Sequence, residues 1–242
     1  VLLHGALFSS TMWYPNIADW SSKYRTYAVD IIGDKNKSIP ENVSGTRTDY
    51  ANWLLDVFDN LGIEKSHMIG LSLGGLHTMN FLLRMPERVK SAAILSPAET
   101  FLPFHHDFYK YALGLTASNG VETFLNWMMN DQNVLHPIFV KQFKAGVMWQ
   151  DGSRNPNPNA DGFPYVFTDE ELRSARVPIL LLLGEHEVIY DPHSALHRAS
   201  SFVPDIEAEV IKNAGHVLSM EQPTYVNERV MRFFNAETGI SR

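Results

Sequence analysis

Short apolar runs alternate with longer amphipathic stretches along most of the chain. Residues 1–3, 26–32 (TYAVDII), 67–70, 89–95 and 178–183 (PILLLL) read as strands, and 209–211 as a weaker one. Between them, Thr46 and Asp49 have the spacing of a capping box. Ala51, Leu54, Leu55, Phe58 and Leu61 then fall on one helical face, which Gly62 closes. A second helix is predicted over 76–85, stopped by Pro86, and an amphipathic helix over 221–234 closes the chain. Apolar strands separated by helices predict an α/β fold: a mostly parallel sheet covered by helices on both faces.

Residues 101–176 break this alternation. They are rich in Phe, Tyr, Trp and Met, and SRNPNPNADGFP within them is a loop by composition. The pattern predicts a core built from 1–100 and 177–242, with 101–176 inserted as a helical cap. No internal repeat is present.

The chain has 242 residues, 45% of them hydrophobic and 12% aromatic, with 19% charged, which suits a packed core and argues against disorder. A net charge of −7 without a dense Lys/Arg run offers nothing to a nucleic-acid backbone, so a small neutral or apolar partner is expected instead. The absence of cysteine removes disulfides, thiolate chemistry and Cys-ligated zinc. No apolar run approaches the roughly 20 residues needed to span a bilayer, and a cytoplasmic location is expected. The sequence opens on VLLHG, inside a strand and without Met, so an upstream segment is expected as well.

The chemistry concentrates where predicted strands end. Gly70-Leu71-Ser72-Leu73-Gly74 is G-x-S-x-G between a strand and a helix, a pattern that turns a serine sharply and exposes its hydroxyl. A serine nucleophile needs a base, an orienting acid and donors for an oxyanion. His216, in NAGHVLSMEQP after the last strand, is the candidate base. After PILLLL, the stretch GEHEVIYD offers Glu185, Glu187 and Asp191 as the acid. Glu187 is preferred because it lies just past Gly184; Asp191 is the main rival, although it precedes Pro192 and could simply cap a helix. Glu99 in SPAET is a more distant rival. The N–H of Leu73, at the start of the helix, is one candidate oxyanion donor, and that of Ala6, after His4-Gly5, is the second. His105-His106 and His136 invite a metal reading, but adjacent histidines do not readily share one ion, and neither metal nor cofactor is expected.

HG, then G-x-S-x-G, then an acid after a strand, then GH, in that order, is far more specific than any one of them. With LLHGALFSSTMW, the D-x-x-G of Asp30–Gly33, GLSLGG, MPERV, LLLGEHEVIYDP and AGHVLSMEQP, the chain resembles the α/β-hydrolase superfamily over essentially its whole length, and within it bacterial serine carboxylesterases that act on esters of arylpropionic acids. The resemblance implies a Ser72–His216–Glu187 triad, Ala6 and Leu73 as oxyanion donors, a helical cap and no cofactor. Three departures stand out: Glu where the family usually has Asp, Asp-Lys-Asn-Lys after Gly33 in place of a short glycine turn, and the absence of the strands that usually precede HG.

Phe101, Phe104, Phe108, Tyr109, Tyr111, Phe124, Trp127, Met128, Met129, Phe139, Phe143, Met148 and Trp149 crowd the cap. Most must serve packing, and those left over would line an aromatic and thioether pocket suited to a bulky hydrophobic ester. A C–C bond hydrolase or acyltransferase could use the same three residues, and a slow-turnover receptor could keep the fold.

Overall fold

The computed structural model describes residues 1–34, 45–148 and 165–237. The predicted loops at 33–45 and 153–164, and Trp149, fall largely or wholly outside these residues, as does the Met148 side chain. In chain order the elements are β1 (Leu2–Leu3), α1 (Ile17–Ser21), β2 (Ala28–Val29), α2 (Arg47–Asn60), β3 (Ser66–Leu71), α3 (Leu73–Arg84), β4 (Val89–Leu95), α4 (Asp107–Leu113), α5 (Gly120–Met128), α6 (Pro137–Met148), α7 (Asp169–Arg173), β5 (Ile179–Gly184), α8 (Pro192–Phe202), β6 (Ile206–Ile211), α9 (Leu218–Glu221) and α10 (Pro223–Glu237). The six strands form one sheet in the order β2-β1-β3-β4-β5-β6, and every pairing is parallel.

Residue parity along the central strands divides the core in two. Leu180 and Leu182 join a cluster with Trp13, Val226, Val230 and Phe233, whereas Ile179, Leu181 and Leu183 join Leu54, Phe58, Leu76 and Ala199. Successive side chains on a strand point to opposite faces, so a strand apolar at every position is what a sheet buried on both sides requires.

The predicted capping box at α2 is present: Asp49 N–H donates to Thr46 Oγ1 (3.1 Å) and Thr46 N–H to Asp49 Oδ2 (3.1 Å). Ala51, Leu54 and Phe58 are buried as the periodicity predicts, but Leu61, which follows the last helical residue, is exposed. β2 is shorter than the predicted 26–32 because Asp30 leaves the sheet to accept the Ser10 N–H (2.7 Å) and Ile31 donates its N–H to His4 Nε2 (2.9 Å). β6 begins three residues earlier than predicted. Its Glu207 and Glu209 disguise it in the sequence, and both pair with Arg229 of α10. The predicted closing helix over 221–234 is broken at Gln222, and Pro223 starts α10, where its missing N–H costs nothing.

The segment between β4 and β5 carries α4, α5, α6 and α7, and the stretches on either side of α4–α6 are held together. Thr100 and Val166 form an isolated parallel bridge, and Arg198 of α8 donates to the carbonyls of Phe101 and Phe167 and pairs with Asp169. Phe167 and Leu172 are buried in the body core.

α3 lies on the sheet at backbone contact. A Cβ at Gly74 would stand 2.1 Å from the Leu3 carbonyl oxygen, and one at Gly70 would stand 2.2 Å from the Gly74 carbonyl oxygen. Gly74→Ala is therefore expected to push α3 off β1 and cost about 3 kcal/mol or more in urea unfolding. A loss below about 1 kcal/mol would mean the helix can shift freely.

Candidate active site

Ser72 is the single residue between β3 and α3, with φ 53° and ψ −117°. A non-glycine residue there costs about 1–3 kcal/mol and persists only when its surroundings hold it. Here they do. Ser72 donates its N–H to the Leu95 carbonyl (2.9 Å), and its own carbonyl accepts from Leu76 and Ala98 (both 3.0 Å). With its backbone fully engaged, the residue leaves only its hydroxyl to project at the carboxyl edge of the sheet. Leu7, Ser96, Glu99, Thr100 and Asn213 also have positive φ, and each follows the end of β1, β4 or β6 on that same edge.

The loop after β1 is fixed from two sides. His4 donates from Nδ1 to the Gly5 carbonyl (2.8 Å) and accepts the Ile31 N–H at Nε2 (2.9 Å), which assigns the Nδ1–H tautomer. Asp34 Oδ2 accepts the Leu7 N–H (3.0 Å), and Asp30 accepts from the Ser10 N–H and hydroxyl. A Cβ at Gly5 would lie 3.4 Å from Ser72 Cβ, so this loop runs beside the serine. Among the described residues, neither the Ala6 nor the Leu73 N–H donates a hydrogen bond. Both remain available for an oxygen placed over Ser72, and Leu73 opens a helix whose dipole favours negative charge.

Glu187 and His216 meet after β5 and β6. Both carboxylate oxygens lie within bonding distance of His216 Nδ1 (2.9 and 3.0 Å), and Glu187 Oε1 also accepts the N–H groups of Val188 (2.9 Å) and Ile189 (3.1 Å). Both side chains are buried. Burial by itself raises the Glu187 carboxyl. The charge and N–H of His216, with the nearby Ser96 hydroxyl and the Ile189 N–H, outweigh it and hold the group below its ordinary value. Ser96 Oγ faces the carboxylate without meeting strict hydrogen-bond geometry. With Nδ1–H directed at Glu187, His216 Nε2 is left as the basic nitrogen.

The rival acids are engaged elsewhere. Asp191 caps α8 by accepting the Ser194 N–H (2.7 Å), and Glu185 Oε2 accepts the Asn213 N–H (3.0 Å). Glu99 is partly buried, and burial raises its carboxyl. Ser96, Asp34 and Glu221 were not singled out by pattern. Each is a buried polar residue, Ser96 and Asp34 after strands and Glu221 at the end of α9, a signal that needs burial to be known. His105, His106 and Asp107 bring possible ligand atoms within 4.8 Å of one another at the exposed start of α4, whereas His136 lies against Tyr14. Each of the two adjacent histidines sits 3.4 Å from an Asp107 carboxylate oxygen. A concavity lined by Leu2, Trp20, Tyr24, His67 and Phe234 opens at the amino edge of the sheet, remote from Ser72.

In the cap, Phe8 from the loop after β1 packs on Phe139 (5.4 Å between ring centres) and Phe143 (4.8 Å), and Tyr111 stacks on Trp127 (4.4 Å). Phe101, Phe124, Phe139 and Phe143 are buried, while Phe104, Phe108, Tyr111 and Trp127 are only partly so.

Residues 1–223 match a family described as alpha/beta hydrolase fold. The chain is 60% identical over 233 residues to carboxylesterase YbfK of Bacillus subtilis, covering 96% of this chain and 79% of that one. It is 97% identical to the crystal structure of naproxen esterase (carboxylesterase NP) from Bacillus subtilis, with a TM-score of 0.95 over 97% of this chain and 82% of the other. It is also 27% identical over 250 residues to a 2-hydroxy-6-oxononadienedioate/2-hydroxy-6-oxononatrienedioate hydrolase of Paraburkholderia phymatum, covering 96% of this chain and 85% of that one. Among the described residues no helix is long and apolar enough to cross a membrane.

Because its carboxyl lies below the ordinary 4.5 in the fold, Glu187 contributes stability above that pH, and the contribution disappears as pH falls through the folded-state value. Glu187→Gln is expected to cost about 3 kcal/mol at neutral pH. It should also flatten the fall in melting temperature between about pH 5 and pH 3. Calorimetric melting across that range checks this, and an equally steep fall in the variant would assign the acid loss to other groups.

Proposed function

The chain belongs to the α/β-hydrolase fold family, and from that premise we propose that Ser72, His216 and Glu187 hydrolyse carboxylic esters through a covalent acyl-enzyme. The enzyme is a carboxylic ester hydrolase, as its relatives at 60% and 97% identity are named. The observation that carries the triad assignment is the buried contact of Glu187 with His216 Nδ1 at 2.9 Å, at the same sheet edge as the strained serine.

His216 Nε2 takes the Ser72 hydroxyl proton as Oγ attacks the ester carbonyl carbon. The carbonyl π pair moves to oxygen, and the N–H groups of Ala6 and Leu73 stabilise the resulting anion; each such donor is worth on the order of 10²–10³ in rate. When the C–O bond to the alcohol breaks, His216 returns the proton to the departing oxygen. Water then attacks the acyl-enzyme with His216 again as base, releasing the acid and restoring Ser72. Glu187 stays ionised, fixes the imidazole tautomer and stabilises its cation.

The aromatic residues between β4 and β5 support a bulky, apolar acyl group of the arylpropionate type. Partly buried Phe104, Phe108, Tyr111 and Trp127 offer flat faces and little charge.

Hydrolysis of p-nitrophenyl butyrate is expected to fall by on the order of 10³ or more in Ser72→Ala. Equal rates in the two proteins would remove the serine mechanism. Methyl esters of 2-arylpropionates are expected to exceed methyl acetate in kcat/KM by about tenfold or more. Competition assays between the two esters measure this, and a preference for acetate would overturn the acyl-group assignment.

A further inference from the structure

We propose that Glu221 is a positioning residue for His216, holding the histidine loop against the cap through a carboxylate bridge between two backbone N–H groups. The inference rests on the reading of His216 as the general base. Glu221 is the last residue of α9 and is buried. Its Oε2 accepts the N–H of Gly215, the residue before His216, at 2.8 Å. Its Oε1 accepts the N–H of Asp131, just beyond the end of α5 in the cap, at 2.9 Å.

Two further contacts join the same strips of chain. His216 donates its own N–H to the carbonyl of Met128, the last residue of α5, at 2.8 Å. Gly215 lies so close to this segment that a Cβ there would stand 2.6 Å from the Met128 carbonyl oxygen and 2.9 Å from Met129 Cα. The cap backbone therefore forms one wall of the loop that carries the base. From the body, the loop is held by His186 N–H donating to Ala214 O (2.9 Å) and Gln222 Nε2 to Asn213 O (3.0 Å); Gly184 packs against the Gly215 carbonyl, and Glu187 holds the His216 ring.

The bridge calls for a carboxylate. The two N–H groups come from different segments and meet different oxygens, so each oxygen must accept. Glutamine keeps one acceptor and turns an NH₂ toward the other N–H. A fold selected for stability alone would have little use for this group. Burial raises its carboxyl, the like charge of Asp131 acts in the same direction, and only the N–H groups of Asp131, Gly215 and Asn130 oppose them, with no cation among these groups. Losing the bridge frees Gly215-His216 to shift, and a displacement of about 1 Å in a catalytic group can cost about 10²-fold in rate.

The test compares wild type with Glu221→Gln in two measurements: p-nitrophenyl butyrate kinetics, and the downfield proton resonance of His216 Nδ1–H in the resting enzyme. The expected result is a folded variant whose kcat falls roughly 10- to 100-fold while KM changes by less than about twofold, with the resonance shifted or broadened. An unchanged kcat in the folded variant, a loss confined to KM, or an unaltered resonance would overturn the proposal. If Glu221→Gln does not fold, Glu221→Asp, whose shorter carboxylate cannot reach both N–H groups, is read by the same criteria. A wild type that shows the resonance but no ester turnover would instead overturn the functional reading, and the resonance would then decide the role of Glu221 by itself.

Discussion

The backbone of α3 touches the backbone of the sheet, and the arrangement at the carboxyl edge depends on that approach. With 2.1 Å between a hypothetical Gly74 Cβ and the Leu3 carbonyl oxygen, no residue with a side chain fits without moving the helix. Because α3 is seated so closely, the chain must turn from β3 into α3 through one residue, and Ser72 takes the left-handed backbone that the turn imposes. The same seating brings the first N–H of the helix beside the loop after β1. The strain at Ser72 and the placement of the candidate oxyanion donors thus have one cause.

Two buried carboxylates serve the neighbouring histidine in different ways. Glu187 is held below its ordinary value because its interactions with His216, the Ser96 hydroxyl and the Ile189 N–H outweigh desolvation. Glu221 has N–H dipoles but no cation, so desolvation prevails and its carboxyl is raised. The more deeply buried of the two is the one whose value falls, so at Glu187 the partners outweigh burial and at Glu221 they do not. One carboxylate meets the His216 ring, and the other meets the Gly215 N–H before it.

The cap is joined to the body where the chemistry gathers. Phe8 packs the loop after β1 onto α6, Met128 and Asp131 meet the histidine loop, and Arg198 gathers the two ends of the insertion. Its aromatic residues differ in burial: Phe124 and Phe143 are core, whereas Phe104, Phe108, Tyr111 and Trp127 keep part of their surface.

Local pattern made much of this legible. Runs such as PILLLL announced buried parallel strands, Thr46 and Asp49 announced the start of α2, and the glycines around Ser72 announced a tight strand-to-helix turn, because each depends on residues a few positions apart. It misled where a long-range partner competes with the local preference. β2 stops early because Asp30 turns to Ser10, and β6 hid behind two glutamates that Arg229 neutralises from α10. The choice among Glu185, Glu187 and Asp191 was open in the sequence, since all three follow the same strand. In the fold, the chain path places only Glu187 against His216 Nδ1, while Asp191 accepts the N–H of Ser194 in its own helix and Glu185 that of Asn213 after β6. The sequence by itself determined which residue types stand at the strand ends and in what order, since composition and short-range spacing encode both. Only the tertiary structure decided which acid pairs with the histidine, and that residues 128–131 meet its loop, because those contacts join residues 29 to 90 positions apart.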